Sequence, residues 1–186
     1  MLQPVSARSR LVVGLLTLAA CVTTPVTPPP PTPVPVAKKV PAQDQAAFGF
    51  SKGMTVAQAN SIAALRLLPG NSATYATRTL PVPHPPFSEG VVVISPTVGL
   101  CRVMASTPPT EPSRAAPLLE AVLRDAALRF GPPDTDLGKD PTARAVWAEP
   151  FGPGSTVWVY ETRNAAGAAT VVVDYLFTNY QACRDE

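Results

Sequence analysis

The chain has 186 residues, of which 15% are charged and 24 are proline, so its composition is apolar and rich in loops. This length predicts one domain, or two small halves that share a core. Arg8 and Arg10 precede an apolar stretch of the kind that export removes; without them 13 of the 15 basic residues remain, which balance the 13 acidic residues. A nearly neutral chain lacks the concentrated positive field that nucleic-acid binding requires, so we expect no nucleic-acid partner.

The N-terminus has the order of features found in a bacterial lipoprotein signal peptide. The run Leu11–Ala20 is apolar, but it is shorter than the roughly 20 residues that cross a bilayer as a helix. Its end, Leu18-Ala19-Ala20-Cys21, resembles the lipobox of bacterial lipoproteins, in which small residues precede the cysteine that receives lipid. An ordinary secretory signal followed by a coincidental cysteine is the alternative. We predict a signal peptide over residues 1–20 and acylation of Cys21.

The resemblance to lipoproteins also implies where the chain resides. Palmitate and the other acyl chains anchor such proteins without a transmembrane helix, since each buried methylene contributes roughly 0.8 kcal/mol. In lipoproteins of this kind, Asp directly after the cysteine commonly retains the protein at the inner membrane, whereas Val22 occupies that position here. The resemblance therefore implies a cell-envelope protein that is held in the outer membrane through Cys21 and faces the periplasm.

Residues 21–46 form a proline-rich segment, with eight prolines from Pro25 to Pro41. Because proline fixes φ and lacks a backbone N–H, this run favours extended polyproline geometry. At about 3.1 Å per residue, the stretch from Val22 to Pro41 would span ~60 Å. A ligand for a proline-recognising groove is the alternative to a spacer. We expect a spacer that leads into a single folded domain over residues 47–186.

Two amphipathic segments of the folded part predict helices. Thr55 and Gln58 have the spacing of a capping box, which favours a helix that begins after Thr55. The apolar face of this first helix would carry Val56, Ala59, Ile62, Ala63 and Leu67. The second helix is predicted from about Ala115 to Phe130, with an apolar stripe formed by Leu118, Leu119, Val122, Leu123, Ala126 and Phe130.

Alternating and β-branched runs predict three strands after each helix. The six strands cover Tyr75–Leu80, Gly90–Ser95, Gly99–Ser106, Arg144–Glu149, Thr156–Thr162 and Thr170–Tyr180. In the third strand, Cys101, Val103 and Ala105 are expected to face the core; in the last, Asp174 is expected to point away from it. The predicted fold class is α+β, with two helices packed on antiparallel β-sheet. The order helix, three strands, helix, three strands is compatible with a duplicated unit.

The cysteine count predicts a disulfide. With Cys21 acylated, Cys101 and Cys183 remain as a pair in an exported, oxidising environment. Their bond would close a loop of about 80 residues and contribute ~4 kcal/mol. A redox or metal-binding pair is the alternative, but neither a CxxC spacing nor a histidine cluster accompanies it. We therefore expect no metal and no cofactor.

The chain offers few candidates for chemistry. His84, the only histidine, could act as a base with a carboxylate partner. However, no nucleophile elbow and no glycine-rich phosphate loop occurs in the sequence, so we predict no catalytic residue and expect a loop histidine. Trp158 and Tyr160 are candidate binding residues if they point away from Val157 and Val159. Core packing is the commoner role of aromatic residues in strands.

Short motifs add a resemblance to known lipoproteins. Gly53-Met54-Thr55 at a helix start and Phe130-Gly131-Pro132 at a helix end are similar to small lipoproteins that assist outer-membrane barrel assembly. This implies a helix-on-three-strand fold of the kind that occurs, duplicated, in a protein inhibitor of β-lactamase; here the two motifs lie on different helices. More of the chain resembles uncharacterised bacterial exported lipoproteins, through Phe48-Gly49-Phe50, Pro83–Phe87, Gly99–Cys101 and Tyr180–Cys183. That family carries no known activity.

Together these features predict a membrane-anchored envelope lipoprotein that is not an enzyme. We expect it to bind another envelope protein through a sheet face or a sheet edge. Two alternatives remain open: a cell-envelope hydrolase that uses His84 with a carboxylate, and a small-ligand carrier. A carrier would need a deep apolar pocket between the helices and the sheet.

Overall fold

A computed structural model of the chain describes residues 45–134 and 143–184. The predictions for the signal peptide, for acylation of Cys21 and for residues 21–44 of the tether lie outside the described residues. Gln45 and Ala46, which were expected in the tether, belong to the folded part: Gln45 is buried and Ala46 lies in the first strand.

The described residues form nine strands and three helices. In chain order these are β1 (Ala46–Ala47), β2 (Phe50–Ser51), α1 (Val56–Ile62), β3 (Arg66–Leu67), β4 (Thr74–Thr77), β5 (Glu89–Ser95), β6 (Gly99–Ser106), α2 (Pro112–Phe130), β7 (Ala143–Ala148), β8 (Thr156–Arg163), β9 (Ala169–Leu176) and α3 (Tyr180–Arg184).

Seven strands form one antiparallel sheet in the order β3-β4-β5-β6-β9-β8-β7, and β1 and β2 form a separate hairpin. The antiparallel sheet is therefore confirmed, and the described residues combine it with a few helices in a mixed α and β fold. The predicted element order is incomplete, because it lacks the hairpin, β3 and α3. All three are short: each strand of the hairpin, like β3, has two residues, and α3 has five. Such short elements carry too little periodicity to be recognised from sequence.

The long helix α2 covers one face of the sheet and contacts β8 and β9. It begins at Pro112, earlier than predicted, because proline is tolerated in the first turn, where its missing N–H has no helical partner. Its buried side chains Ala115, Leu119, Val122 and Ala126 follow the predicted stripe. They face a core formed by alternate strand residues that include Val103, Val157, Val159, Val171, Val173 and Tyr175.

The first helix covers much less of the sheet than predicted. Thr55 and Gln58 form the predicted capping box, with the Thr55 side chain accepting from the Gln58 N–H. The helix ends after seven residues, so only Ala59 is buried within it. Val56 is 37% exposed and Ile62 is 42% exposed, which corrects the expectation that both face the core.

A register irregularity in β6 changes which residues reach the core. Val93 pairs with Arg102 and Ile94 with Leu100, so Cys101 is the extra residue of a β-bulge. Leu100 therefore joins Val103 and Ala105 in the core cluster. Cys101 is fully buried among the hydrophobic core residues, as predicted, although it is not a member of that cluster.

The last strand ends earlier than predicted. β9 stops at Leu176, and Tyr180, which was expected in the strand, begins α3 instead. Its alternation is as predicted, with Val171, Val173 and Tyr175 in the core and Asp174 on the opposite face. Among the described residues, no helix has the length and apolar character needed to span a membrane.

Both edges of the sheet offer little backbone for pairing. The edge strand β3 has two residues. At the other edge, the Asp134 N–H donates to the Val146 carbonyl at 2.8 Å, and the Asp134 carboxylate accepts the N–H of Ala148 at 2.7 Å. Short or covered edges are a common protection against strand addition.

Candidate functional site

A cleft of about 190 Å³ lies between α2, the loop before β5 and the β1–β2 hairpin. We call it the aromatic cleft. Its lining residues are mainly aromatic or aliphatic, and four bear polar groups: His84, Asp125, Arg129 and Tyr175. The complete lining is Phe48, His84, Pro85, Pro86, Phe87, Ala121, Val122, Asp125, Ala126, Arg129, Phe130, Val173 and Tyr175.

A tight hairpin turn places Phe48 in the aromatic cleft. The turn joins Ala47 to Phe50 through Phe48 and Gly49, whose φ angles are 55° and 88°. Two central residues with positive φ are typical of a type I′ turn, and glycine accepts this geometry readily. A Cβ at Gly49 would lie 2.8 Å from the Pro81 Cβ, so glycine also permits this close approach. Phe50 turns into the core, where it is fully buried.

Edge-to-face ring contacts form one wall of the aromatic cleft. The Phe48 ring lies 5.5 Å from Phe87 and 5.6 Å from Tyr175, with both pairs in T-shaped arrangements. The Arg129 guanidinium lies 5.1 Å from the Phe130 ring centroid and 5.9 Å from that of Tyr175. Burial raises the pKa of Tyr175, and the nearby Arg129 charge partly offsets this. The wall is therefore packed, and its one buried hydroxyl stays protonated at neutral pH.

His84 and Asp125 meet at the rim of the aromatic cleft. The His84 Nε2 lies 3.3 Å from the Asp125 Oδ2, and their side chains are 48% and 62% exposed. The His84 ring also stacks on Phe87, with 6.0 Å between centroids. His84 is thus an exposed loop histidine as expected, but it has the carboxylate partner that the hydrolase alternative required.

Two features of many hydrolytic sites, a side-chain nucleophile and a metal, have no counterpart beside His84 in the described residues. The lining of the aromatic cleft contains no Ser, Thr or Cys that could act as a nucleophile beside His84. Across residues 45–134 and 143–184, no group of three His, Cys, Asp or Glu side chains is placed to hold a metal ion. The geometry therefore provides a surface with one acid–histidine pair rather than a set of reacting groups.

Trp158 and Tyr160 lie on the opposite face of the sheet from the aromatic cleft. They alternate with Val157 and Val159, which are fully buried in the core, so the structure does not bring them together with His84. Trp158 pairs directly with Asp174 across the strands. Both aromatic residues point away from the core, so the core-packing expectation is wrong for them.

A buried ion pair lies at the centre of that opposite face. The Arg102 Nε donates to the Asp174 Oδ1 at 2.9 Å, and its Nη2 donates to the Oδ2 at 2.6 Å. This hydrogen bonding raises the pKa of Arg102, whereas burial raises the pKa of Asp174. Burial also raises the pKa of Tyr160, with a further contribution from the Asp174 charge. We call Arg102, Trp158, Tyr160, Asp174 and Tyr180 the Arg102 cluster.

The disulfide predicted between Cys101 and Cys183 is present, with 6.4 Å between the Cα atoms. It joins α3 to the bulge of β6. Tyr180, at the start of α3, has its ring centroid 5.8 Å from the Arg102 guanidinium carbon. The disulfide therefore holds one member of the Arg102 cluster next to the ion pair.

Sequence reasoning missed the members of both sites that are distant in the chain. Asp125, Arg129 and Tyr175 were not selected for the cleft. For the Arg102 cluster a signal was available: Arg102 is the one charged residue of β6, and Asp174 is the one charged residue of β9. Two lone opposite charges in apolar strands favour pairing, because an unpaired buried charge is costly.

No protein-family model, curated protein or solved structure matches this chain.

Proposed function

We propose that the protein is a lipid-anchored module of the bacterial envelope that binds another protein through the aromatic cleft and does not act as an enzyme. The observation that best supports binding of a protein partner is the size and lining of the aromatic cleft. At about 190 Å³ it is smaller than the roughly 300–1,000 Å³ typical of small-ligand pockets. It suits one large apolar side chain of a partner, inserted as the anchor of an interface.

The chemistry of the rim supports a peptide as the occupant. Phe48, Phe87 and Tyr175 provide apolar ring surface for the anchor side chain. Asp125 can accept a backbone N–H, and Arg129 can donate to a backbone carbonyl beside the anchor. An apolar centre with a polar rim is the usual composition of a protein interface.

The anchoring part of the proposal is supported by the lipobox-like sequence that ends at Cys21. We expect Cys21→Ser to abolish acylation and release the chain from the membrane fraction into the periplasmic fraction. Labelling with an alkyne analogue of palmitate, followed by fractionation, measures both effects. Unchanged labelling of the Cys21→Ser variant would contradict the proposal.

A substitution that fills the aromatic cleft tests whether the partner protein binds there. Ala121 lines the cleft from an exposed position on α2, so Ala121→Trp should occupy it without enlarging the core. Leu128, 81% exposed on the same helix and outside the lining, provides the matched control Leu128→Trp. After crosslinking in intact cells, we expect a discrete adduct of the wild type that persists in Leu128→Trp and falls about tenfold or more in Ala121→Trp. An adduct that Ala121→Trp leaves unchanged would contradict the proposal, as would the lack of any adduct.

The His84–Asp125 contact favours one second candidate, a hydrolase in which Asp125 orients His84. His84→Gln separates the two functions. If the protein is a binding module, His84→Gln keeps the crosslinked adduct and any cellular phenotype within a few fold of the wild type. Loss of the phenotype with an intact adduct would instead support the hydrolase.

A further inference from the structure

The Arg102 cluster has a surplus of hydrogen-bond donors. Asp174 accepts from the Nε and Nη2 of Arg102 with its two oxygens, which occupies one edge of the guanidinium. The Arg102 side chain is 27% exposed, and its hydrogen bonds to described residues all go to Asp174. The buried Trp158 Nε1 lacks an acceptor among the described residues. The cluster therefore combines a partly exposed guanidinium edge with one buried indole N–H that has no acceptor among the described residues.

An unsatisfied buried donor is unusual enough to require an explanation. Leaving one indole N–H without an acceptor destabilises the fold, and an acceptor that reaches it recovers this free energy. Trp158 and Asp174 are direct cross-strand partners, so the indole lies beside the carboxylate that fixes Arg102. Arg102 and Trp158 thus lie on the same face of the sheet, opposite α2.

We propose that the Arg102 cluster binds a small carboxylic acid that carries an apolar group, with its carboxylate held by the other edge of Arg102 and by the Trp158 indole N–H. A carboxylate is an acceptor-only group, so it brings no donor that would be left unpaired. Its two oxygens match the planar fork of a guanidinium.

The side chains around Arg102 indicate what the rest of the ligand should be like. Asp174 holds Arg102 in position with two hydrogen bonds. A guanidinium can form hydrogen bonds with one carboxylate along each of two edges, so the second edge of Arg102 can bind the ligand. Tyr160 and Tyr180 lie close enough to Arg102 to affect its pKa and offer hydroxyl groups at the margin. The neighbouring side chains Met104 and Leu176, on the same face, are apolar and half-buried, which suits a carboxylate on an apolar body.

The two tryptophans provide an internal comparison for the test. Trp147 donates its indole N–H to the Gly131 carbonyl at 2.8 Å, whereas Trp158 has no acceptor. We would titrate ¹⁵N-labelled protein from residue 21, carrying Cys21→Ser, with phenylacetate and separately with phenylacetamide. Phenylacetate should shift the Trp158 indole signal with saturation near 1 mM and leave Trp147 in place; phenylacetamide should shift neither.

Three variants complete the experiment. Arg102→Lys should weaken phenylacetate binding about tenfold, because lysine lacks the planar fork. Tyr160→Phe removes one hydroxyl without altering the ion pair, should weaken binding a few fold, and covers the case in which Arg102→Lys does not fold. Arg78→Lys, at an exposed position far along the sheet, should bind like the wild type.

Other outcomes are equally informative. A stationary Trp158 signal, an equal shift with phenylacetamide, or unaltered binding by both Arg102→Lys and Tyr160→Phe would overturn the proposal. N-acetylphenylalanine, which mimics a peptide C-terminus, distinguishes the source of the carboxylate. Tighter binding of this compound than of phenylacetate would assign the site to peptide ends, and weaker binding would assign it to free acids.

Discussion

Replacing Cys101 and Cys183 with alanine is expected to lower the free energy of unfolding by about 4 kcal/mol, because their bond closes a long loop in the unfolded chain. The sequence separation of 82 residues makes this closure one of the larger entropic constraints that a single disulfide can impose. Typical domains have only about 5–15 kcal/mol of stability in total. Urea denaturation at neutral pH, with the midpoint and slope fitted together, measures the difference.

Two controls make this prediction specific. The wild type in excess dithiothreitol should approach the stability of the double variant, and Cys21→Ser alone should match the oxidised wild type. A loss below about 1 kcal/mol would show that the unfolded chain is not constrained as the loop-closure account requires. Since α3 has no buried residue in its own span, we also expect its amide protons to exchange fastest in the double variant.

The second large effect is expected at the buried ion pair. Asp174→Ala should lower the free energy of unfolding by about 3 kcal/mol, because it leaves the Arg102 guanidinium without its partner. The side chain of Asp174 is 6% exposed and that of Arg102 is 27% exposed, so solvent can compensate only part of this loss. Thermal and urea unfolding of the purified variant measure the change.

The double variant Arg102→Met with Asp174→Leu tests the reason for that loss. Replacing both charges by apolar side chains removes the cost of burying either, so we expect its stability to lie within about 1 kcal/mol of the wild type. A double variant as unstable as Asp174→Ala would show that the pair itself stabilises the fold. Retention of stability would leave ligand binding as the reason for having the pair.

The parts of the fold that sequence predicts well are those with long repeating patterns. α2 spans 19 residues, and its stripe of buried residues repeats over several turns, so periodicity identifies it. β8 and β9 have eight residues each, which is enough to show alternation. The β1–β2 hairpin has no such signal, although Phe48-Gly49 is a turn of the type that joins adjacent strands.

The candidate site is less predictable because its members meet only through tertiary packing. His84 was recognised as a candidate, but nothing in its local sequence identifies Asp125 on α2 as its partner. In the same way, the bulge at Cys101 depends on the pairing of β6 with β5 and brings Leu100 into the core cluster. Register and long-range contacts decide both features, and neither leaves a local periodicity to detect.

Under the anchoring proposed through Cys21, Gln45 would have a mechanical role. Its side-chain amide donates to the Phe151 carbonyl at 3.4 Å, and its amide oxygen accepts the N–H of Thr178 at 3.2 Å, directly after β9. Thr178 in turn accepts from the Lys52 ammonium at 2.7 Å. A pulling force that enters the domain through Gln45 is therefore transmitted to the end of a central strand.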